Sequence, residues 1–307
     1  MRIKKAYAAI CIIACTTLLA SCTKEMPAPE IDLSAKGAMI LDLKKGTVLY
    51  EKNADEKFPP ASTTKVMTAV VAIENLSLSK EIVPSKKAVY VEPTVAGLKA
   101  GVKYTLDDLL SAILIKSAND AAVVIAEAVA GSEKEFAKLM NEKAKTLGMD
   151  NTYFATASGL PTGKKDSQHT TARDLAKLMR YVTRYKVVLQ KMSQKDENIY
   201  GSDGKRIYLK THNKCLFKRD NGPWGKTGYT REAKRTFVGI NSSMKPEICF
   251  SILKAKSLWN DIFKLNDEGL VLYAENQRTW FSDFIDWVKA ERQIGRKNFD
   301  QVMSAIE

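Results

Sequence analysis

Ser62 and Lys65 stand three residues apart, a spacing that places both on one face of a helix. A serine hydroxyl beside an uncharged amine can pass its proton to that amine with no histidine at hand. Ser117-Ala118-Asn119 adds a second hydroxyl and an amide, and Lys226-Thr227-Gly228 adds a cation and a further hydroxyl on a stretch with strand character. An S-x-x-K by itself occurs by chance in many chains. In this order and at these separations the three segments together describe a serine nucleophile that becomes acylated.

Each residue has a plausible task. Ser62 falls in the first turn of an apolar helix, where free backbone N–H groups and the helix dipole favour a developing oxyanion. Lys65 must shed its proton near neutral pH, which burial and a neighbouring cation such as Lys226 would promote. Ser117 could relay a proton to a leaving amine, and Asn119 could hold a substrate amide. The plain alternative for Asn119-Asp120 is a helix N-cap. Lys226 and Thr227 on an exposed strand edge suit a carboxylate, and Gly228 leaves room for an extended peptide along that edge. The backbone N–H of Tyr229 would complete the oxyanion pocket. The plain alternative here is a basic strand end.

The surrounding pattern says what must position these groups. Residues 38–43 and 48–50 read as two strands around the Lys44-Lys45-Gly46-Thr47 turn. Pro59-Pro60 precedes an almost wholly apolar helix through Val66, Met67, Val70 and Ile73. Thr105 predicts an N-cap for a helix through Leu109 and Ile113, with a break at residues 116–118. Further helices are predicted over 120–130, closed by Gly131, and 133–147, closed by Gly148, with another capped by Thr170 or Thr171. Short strands follow at 207–210, 225–229, 236–240 and 248–253. Strands at both ends and helices between them predict an α+β fold, with one antiparallel sheet that the N-terminal hairpin joins. Residues 279–294 read as an amphipathic helix, either docked on its own domain or lying on a membrane surface.

These motifs resemble the penicillin-recognising serine enzymes, and most of all the low-molecular-weight D-alanyl-D-alanine carboxypeptidases. The resemblance rests on Pro60-Ala61-Ser62-Thr63-Thr64-Lys65-Val66-Met67, Ser117-Ala118-Asn119-Asp120, Leu147-Gly148-Met149, Ser158-Gly159-Leu160-Pro161, Thr170-Thr171-Ala172-Arg173-Asp174, His212-Asn213-Lys214 and Gly225-Lys226-Thr227-Gly228-Tyr229-Thr230. It covers roughly residues 34–270. It implies a β-lactamase/DD-peptidase-like fold, an antiparallel sheet flanked by helices with an all-helical subdomain. It implies Ser62 as acylated nucleophile, Lys65 as its base and Ser117 with Asn119 as second element. Lys226 and Thr227 would bind the terminal carboxylate, and Ser62 and Tyr229 would give the oxyanion amides. The implied substrates are peptidoglycan stem peptides, with β-lactam antibiotics as inhibitors. Departures from the pattern occur at Ala233-Lys234 and in the lysine-rich stretch 162–168. The chain after Leu270 is too short for the extra C-terminal β-domain of many relatives, so that domain is not expected.

Composition bounds the rivals. The formal charge of +13 fits nucleic acid, but no nucleic-acid module is legible, and an exported protein meets anionic envelope polymers and lipids instead. The two histidines, His169 and His212, lie in no nucleophile-elbow context, no Cys/His spacing suggests zinc, and no cofactor is implied. Cys215 and Cys249 could pair across adjacent strands or serve as buried small apolar residues. No Glu-x-x-Leu-Asn run supports a class A β-lactamase. An endopeptidase on the same fold, or a non-catalytic peptidoglycan-binding lipoprotein, remains open.

The N-terminus reads as an address. Arg2, Lys4 and Lys5 precede an apolar run over 6–19, and Leu19-Ala20-Ser21-Cys22 resembles a lipobox. The expected organisation is a lipoprotein signal peptide over 1–21, a tether from the lipidated Cys22 over 22–33, a catalytic domain over 34–275 and an amphipathic segment over 276–307. The alternative is an ordinary signal peptide. Thr23 after Cys22 leans toward an outer membrane where the cell has one. Cys22→Ser should turn a membrane-bound protein into a soluble one; unchanged detergent partitioning of that variant would exclude the anchor.

Overall fold

Strands from the two ends of the chain meet in one sheet. The computed structural model describes residues 30–163 and 168–277. Cys22, the signal segment and the stretch from Thr279 onward lie outside the described residues. The main sheet contains β1 (Gly37–Asp42), β2 (Val48–Lys52), β7 (Trp224–Thr230), β8 (Lys234–Ile240) and β9 (Ile248–Ala255). Their order is β2-β1-β9-β8-β7, and every pairing is antiparallel. The N-terminal hairpin thus joins the C-terminal strands through β1, with Ala38 opposite Ile252 and Ile40 opposite Phe250.

Both faces of this sheet are covered, so its central strands read as continuous apolar runs. Ala38, Ile40, Phe250 and Ile252 face a core with Phe237, Leu258, Ile262 and Leu265. The residues between them, Met39, Leu41, Cys249 and Leu253, face the larger helical core. On that side α6 (Ala172–Val182) is fastened to β9: Ser251 Oγ donates to the Ala172 carbonyl at 2.6 Å. The other face carries α9 (Leu258–Gln277), a helix the sequence reading did not place. Its apolar residues Leu258, Ile262, Leu265 and Gly269 recur at helical spacing. Asp261 in its first turn accepts from the backbone and hydroxyl of Ser34, at 3.0 and 2.7 Å, while Ser34 Oγ accepts from the N–H groups of Lys256 and Ser257. Ile31 and Leu33 are also buried against this core.

The helical part begins with a 3₁₀ turn, Ala61–Thr63, followed by α1 (Thr64–Asn75). A short β3 (Glu81–Ile82) pairs with β4 (Tyr104–Thr105), and α2 (Lys86–Val89) lies between them. Then come α3 (Leu106–Leu114), α4 (Asn119–Ala130), α5 (Glu133–Thr146) and α7 (Lys186–Ser193). Thr171, of the two candidate threonines, caps α6 by accepting from Asp174 N. The expected strand 207–210 forms as β6 (Arg206–Lys210), but outside the main sheet. It pairs instead with β5 (Asp196–Tyr200) in a hairpin whose Ile199 and Leu209 enter the helical core, leaving Tyr200 and Tyr208 exposed. Cys215, on the short helix α8 (Cys215–Lys218), and Cys249 are both buried free thiols. Burial pushes each up to about 12. Among the described residues no helix is long and apolar enough to cross a membrane.

Thr105 caps α3 in a complete capping box: its hydroxyl accepts from Asp108 N, and the Asp108 carboxylate accepts from Thr105 N, each at 3.1 Å. Thr105→Ala should lower the unfolding free energy by about 1 kcal/mol in chemical denaturation. An unchanged midpoint and slope would show that the box contributes nothing.

Candidate active site

Ser62 sits in the 3₁₀ turn, one residue after Ala61, whose φ of 49° is unusual for a side-chain-bearing residue. Two hydroxyls hold this turn by its entry, Thr63 Oγ1 and Thr236 Oγ1 donating to the Pro60 carbonyl at 2.7 and 3.1 Å. Gly159 seals it from the other side. A Cβ there would lie 1.9 Å from the Ala61 carbonyl oxygen, and its φ of 82° is open to glycine above all.

Lys65 follows within the first turn of α1 and is completely buried. Its Nζ lies 2.7 Å from Asn119 Oδ1, 2.6 Å from the Ser158 carbonyl and 3.0 Å from Ser62 Oγ. A neutral amine has two N–H bonds and one lone pair. Asn119 and Ser158 take the two N–H bonds, which leaves the lone pair for the Ser62 hydroxyl. After protonation the same three oxygens accept three N–H bonds. The environment fits both states without rearrangement. Burial drives the Lys65 amine well below its ordinary range, and Lys226 adds repulsion; Glu133 and Asp120 act in the opposite direction.

Ser117 lies in the break between α3 and α4, and Asn119 opens α4. Ser117 has a φ of 62°, a second unusual backbone at the site. Its hydroxyl accepts from Lys226 Nζ at 2.9 Å. Asn119 Oδ1 accepts from Lys65 Nζ, and one N–H of its Nδ2 donates to the Glu92 carbonyl at 2.8 Å, so the residue grips Lys65. The N-cap of α4 falls on Ala118, not on Asn119. Asp120 accepts from the backbone of Ala96, Gly97 and Leu98, which ties down the loop after Pro93 and Thr94.

The third segment lies on β7, an edge strand of the sheet. Lys226 was expected on an exposed edge but is 1% exposed. Side chains alternate along a strand, and Lys226 shares with Gly228 the face that meets Ser62 and Ala61. It is closed in behind Ser117 and the Thr227 carbonyl, to which it donates at 2.7 Å. Burial pulls its amine down to about 7. Gly228 lets the strand approach, since a Cβ there would come within 2.8 Å of Ser62 N and 2.4 Å of Thr236 Oγ1. The outer edge of β7 carries no strand among the described residues.

These groups open onto a cleft of about 470 Å³ whose walls include Ser62, Ser117, Thr227, Gly228 and Tyr229. Lys65, Asn119 and Lys226 lie just behind the wall. Pro93, Thr94, His212, Lys214, Arg235 and Trp259 also line the cleft and were not read as site residues. Burial and the nearby lysines lower the His212 imidazole below its ordinary range. Ser158, whose carbonyl holds Lys65, belonged to a recognised motif, but a backbone acceptor leaves no side-chain signal.

A family model described as D-alanyl-D-alanine carboxypeptidase matches residues 22–257. The chain belongs to that family. The Bacillus subtilis D-alanyl-D-alanine carboxypeptidase DacF is 35% identical over 210 residues, covering 67% of this chain and 53% of that protein. The chain therefore spans about half the length of that relative. A D-alanyl-D-alanine endopeptidase of Escherichia coli K12 is 32% identical over 222 residues, covering 69% of this chain and 68% of its own. The crystal structure of a D-alanyl-D-alanine carboxypeptidase from Mycobacterium tuberculosis H37Rv superimposes with a TM-score of 0.73 at 28% identity, covering 84% of this chain and 96% of that one. The expected DD-peptidase fold is the fold observed, with the antiparallel sheet and helical subdomain in place.

In this family member the buried lysines also couple folding to pH. Lys226 has an amine near 7 in the native state against 10.5 in the unfolded chain, so between these values the unfolded state binds more protons and stability rises with pH. The slope is at most about 1.4 kcal/mol per pH unit. The melting temperature of the native protein should therefore gain on that of Lys226→Met between about pH 7 and pH 9. A constant difference across that range would show that Lys226 keeps an ordinary amine.

Proposed function

We propose that the chain is a serine-type D-Ala-D-Ala carboxypeptidase that removes the terminal D-Ala from peptidoglycan stem peptides. The observation that carries this reading is the Lys65 amine, stripped of water and held 3.0 Å from Ser62 Oγ by two fixed acceptors. Ser62 Oγ attacks the carbonyl carbon of the penultimate D-Ala as its proton moves to Lys65 Nζ. The oxyanion is held by the backbone N–H groups of Ser62 and Tyr229. The proton reaches the departing D-Ala nitrogen through Ser117 Oγ, and the C–N bond breaks to leave an ester on Ser62. Water then attacks the ester, releases the shortened peptide and restores the serine.

An extended peptide along the free edge of β7 would place its terminal carboxylate by the Thr227 hydroxyl, within the field of Lys226. A β-lactam would acylate Ser62 by the same attack. The family match and the similarity to named carboxypeptidases support this activity. The similarity to an endopeptidase supports a second reading, cleavage of cross-links, by the same chemistry with a longer leaving group. The signal and lipobox pattern supports export and anchoring through Cys22.

A fluorescent penicillin should label the native chain but not folded Ser62→Ala, and a stem pentapeptide should lose one D-Ala. Equal labelling of the variant would exclude Ser62. Digestion of purified sacculi separates the two peptidase readings, because only the endopeptidase converts cross-linked dimers to monomers by mass.

A further inference from the structure

Glu133 opens α5, behind the N-cap Ser132. It lies outside the cleft that Ser62 lines, yet it bears on the same machinery. Its Oε1 accepts from Ala157 N at 2.9 Å. Ala157 begins a strap of three residues that holds the nucleophile region. The Ala157 carbonyl accepts from Thr68 Oγ1 at 2.7 Å, the Ser158 carbonyl accepts from Lys65 Nζ at 2.6 Å, and Gly159 packs on the Ala61 carbonyl. Glu133 therefore fixes the strap one residue before the carbonyl that orients the lysine. Its carboxylate is also one of two acidic groups whose charge reaches Lys65.

We propose that Glu133 is a positioning residue for acyl transfer. Through Ala157 N–H it keeps the Ser158 carbonyl on Lys65 Nζ, and its charge steadies the ammonium that forms when Lys65 takes the Ser62 proton. This rests on the acyl-enzyme reading above. The charged groups around the pair are few. Lys65 meets Lys226 from β7, Asp120 from α4 and Glu133 from α5, and His212 lies within the field of both lysines. Glu133 meets Lys87 from α2, Lys65 from α1 and Glu127 from α4. Burial raises the Glu133 carboxyl above its ordinary range, while the Ala157 amide and the two lysines draw it back. The carboxylate is thus held in a partly desolvated place where its charge is felt.

Two variants separate the hydrogen bond from the charge. E133Q keeps an acceptor oxygen for Ala157 N–H and removes the charge; E133A removes both. The full chain would be acylated with a fluorescent penicillin from about pH 5 to pH 9, with Ser62→Ala as blank and thermal melts to confirm folding. E133A should acylate about tenfold more slowly or worse across the range, because the lysine loses its fixed orientation. E133Q should recover most of that loss at alkaline pH. Its acid limb should lie at lower pH than the native limb, because Lys65 without the carboxylate stays neutral further into acid. An E133Q profile that coincides with the native one, or moves to higher pH, overturns the proposal. So does folded E133A with native rates. If E133A fails to fold, the E133Q profile decides alone. A native chain that takes no label would instead defeat the acyl-enzyme reading, and this proposal with it.

Discussion

The site depends on burying one amine without giving it a permanent counter-ion. Lys65 is enclosed, and a carboxylate in contact with it would lock it as an ammonium. Its contacts are instead an amide oxygen, a backbone carbonyl and the Ser62 hydroxyl. All three are neutral, and all three can accept a hydrogen bond. Desolvation then favours the uncharged form, while the acceptors prevent the penalty of an unpaired buried donor. The acidic groups that act on Lys65, Glu133 and Asp120, are themselves engaged with backbone amides elsewhere. The amine can take a proton for the length of one chemical step and give it up again.

Each wall of this enclosure comes from a different part of the fold. α1 supplies the lysine and the turn before it supplies the nucleophile. The start of α4 supplies Asn119, the strap before Gly159 supplies a carbonyl, and β7 supplies a second buried amine. Two glycines permit the closeness. Without Gly159 the strap could not reach the Ala61 carbonyl, and without Gly228 the strand edge could not reach Ser62 N. Ala61, next to Ser62, and Ser117 itself are non-glycine residues with left-handed backbones. Strain of that kind is retained only where surrounding contacts over-determine the chain, as the double grip on the Pro60 carbonyl does here.

Much of this was legible in the sequence because the motifs carry their own periodicities. The i, i+3 spacing of Ser62 and Lys65, the Thr105 cap and the short apolar strands are local signals, and the fold uses them locally. Side-chain direction relative to distant elements was less legible. Lys226 reads as an exposed edge cation until the alternation of β7 is tied to the position of Ser62. The contacts of Asn119 with Lys65 and with the Glu92 carbonyl lie 54 and 27 positions away and leave no local signal. The strand at 206–210 shows β character but not its partner, and its hairpin mate β5 lies just upstream. α9 has a regular apolar spacing, Leu258, Ile262 and Leu265, that follows almost directly on the strand β9.

The pairing of β1 with β9 ties the two ends of the domain together. Ala38 and Ile252 are neighbours in the sheet and stand at opposite ends of the domain's sequence. Contacts of such separation are rewarded only once the loop entropy between them has been overcome. The turn before α1 draws on the same distant segment, because Thr236 of β8 donates to the Pro60 carbonyl 176 positions away. The seat of the nucleophile is therefore built from both halves of the chain.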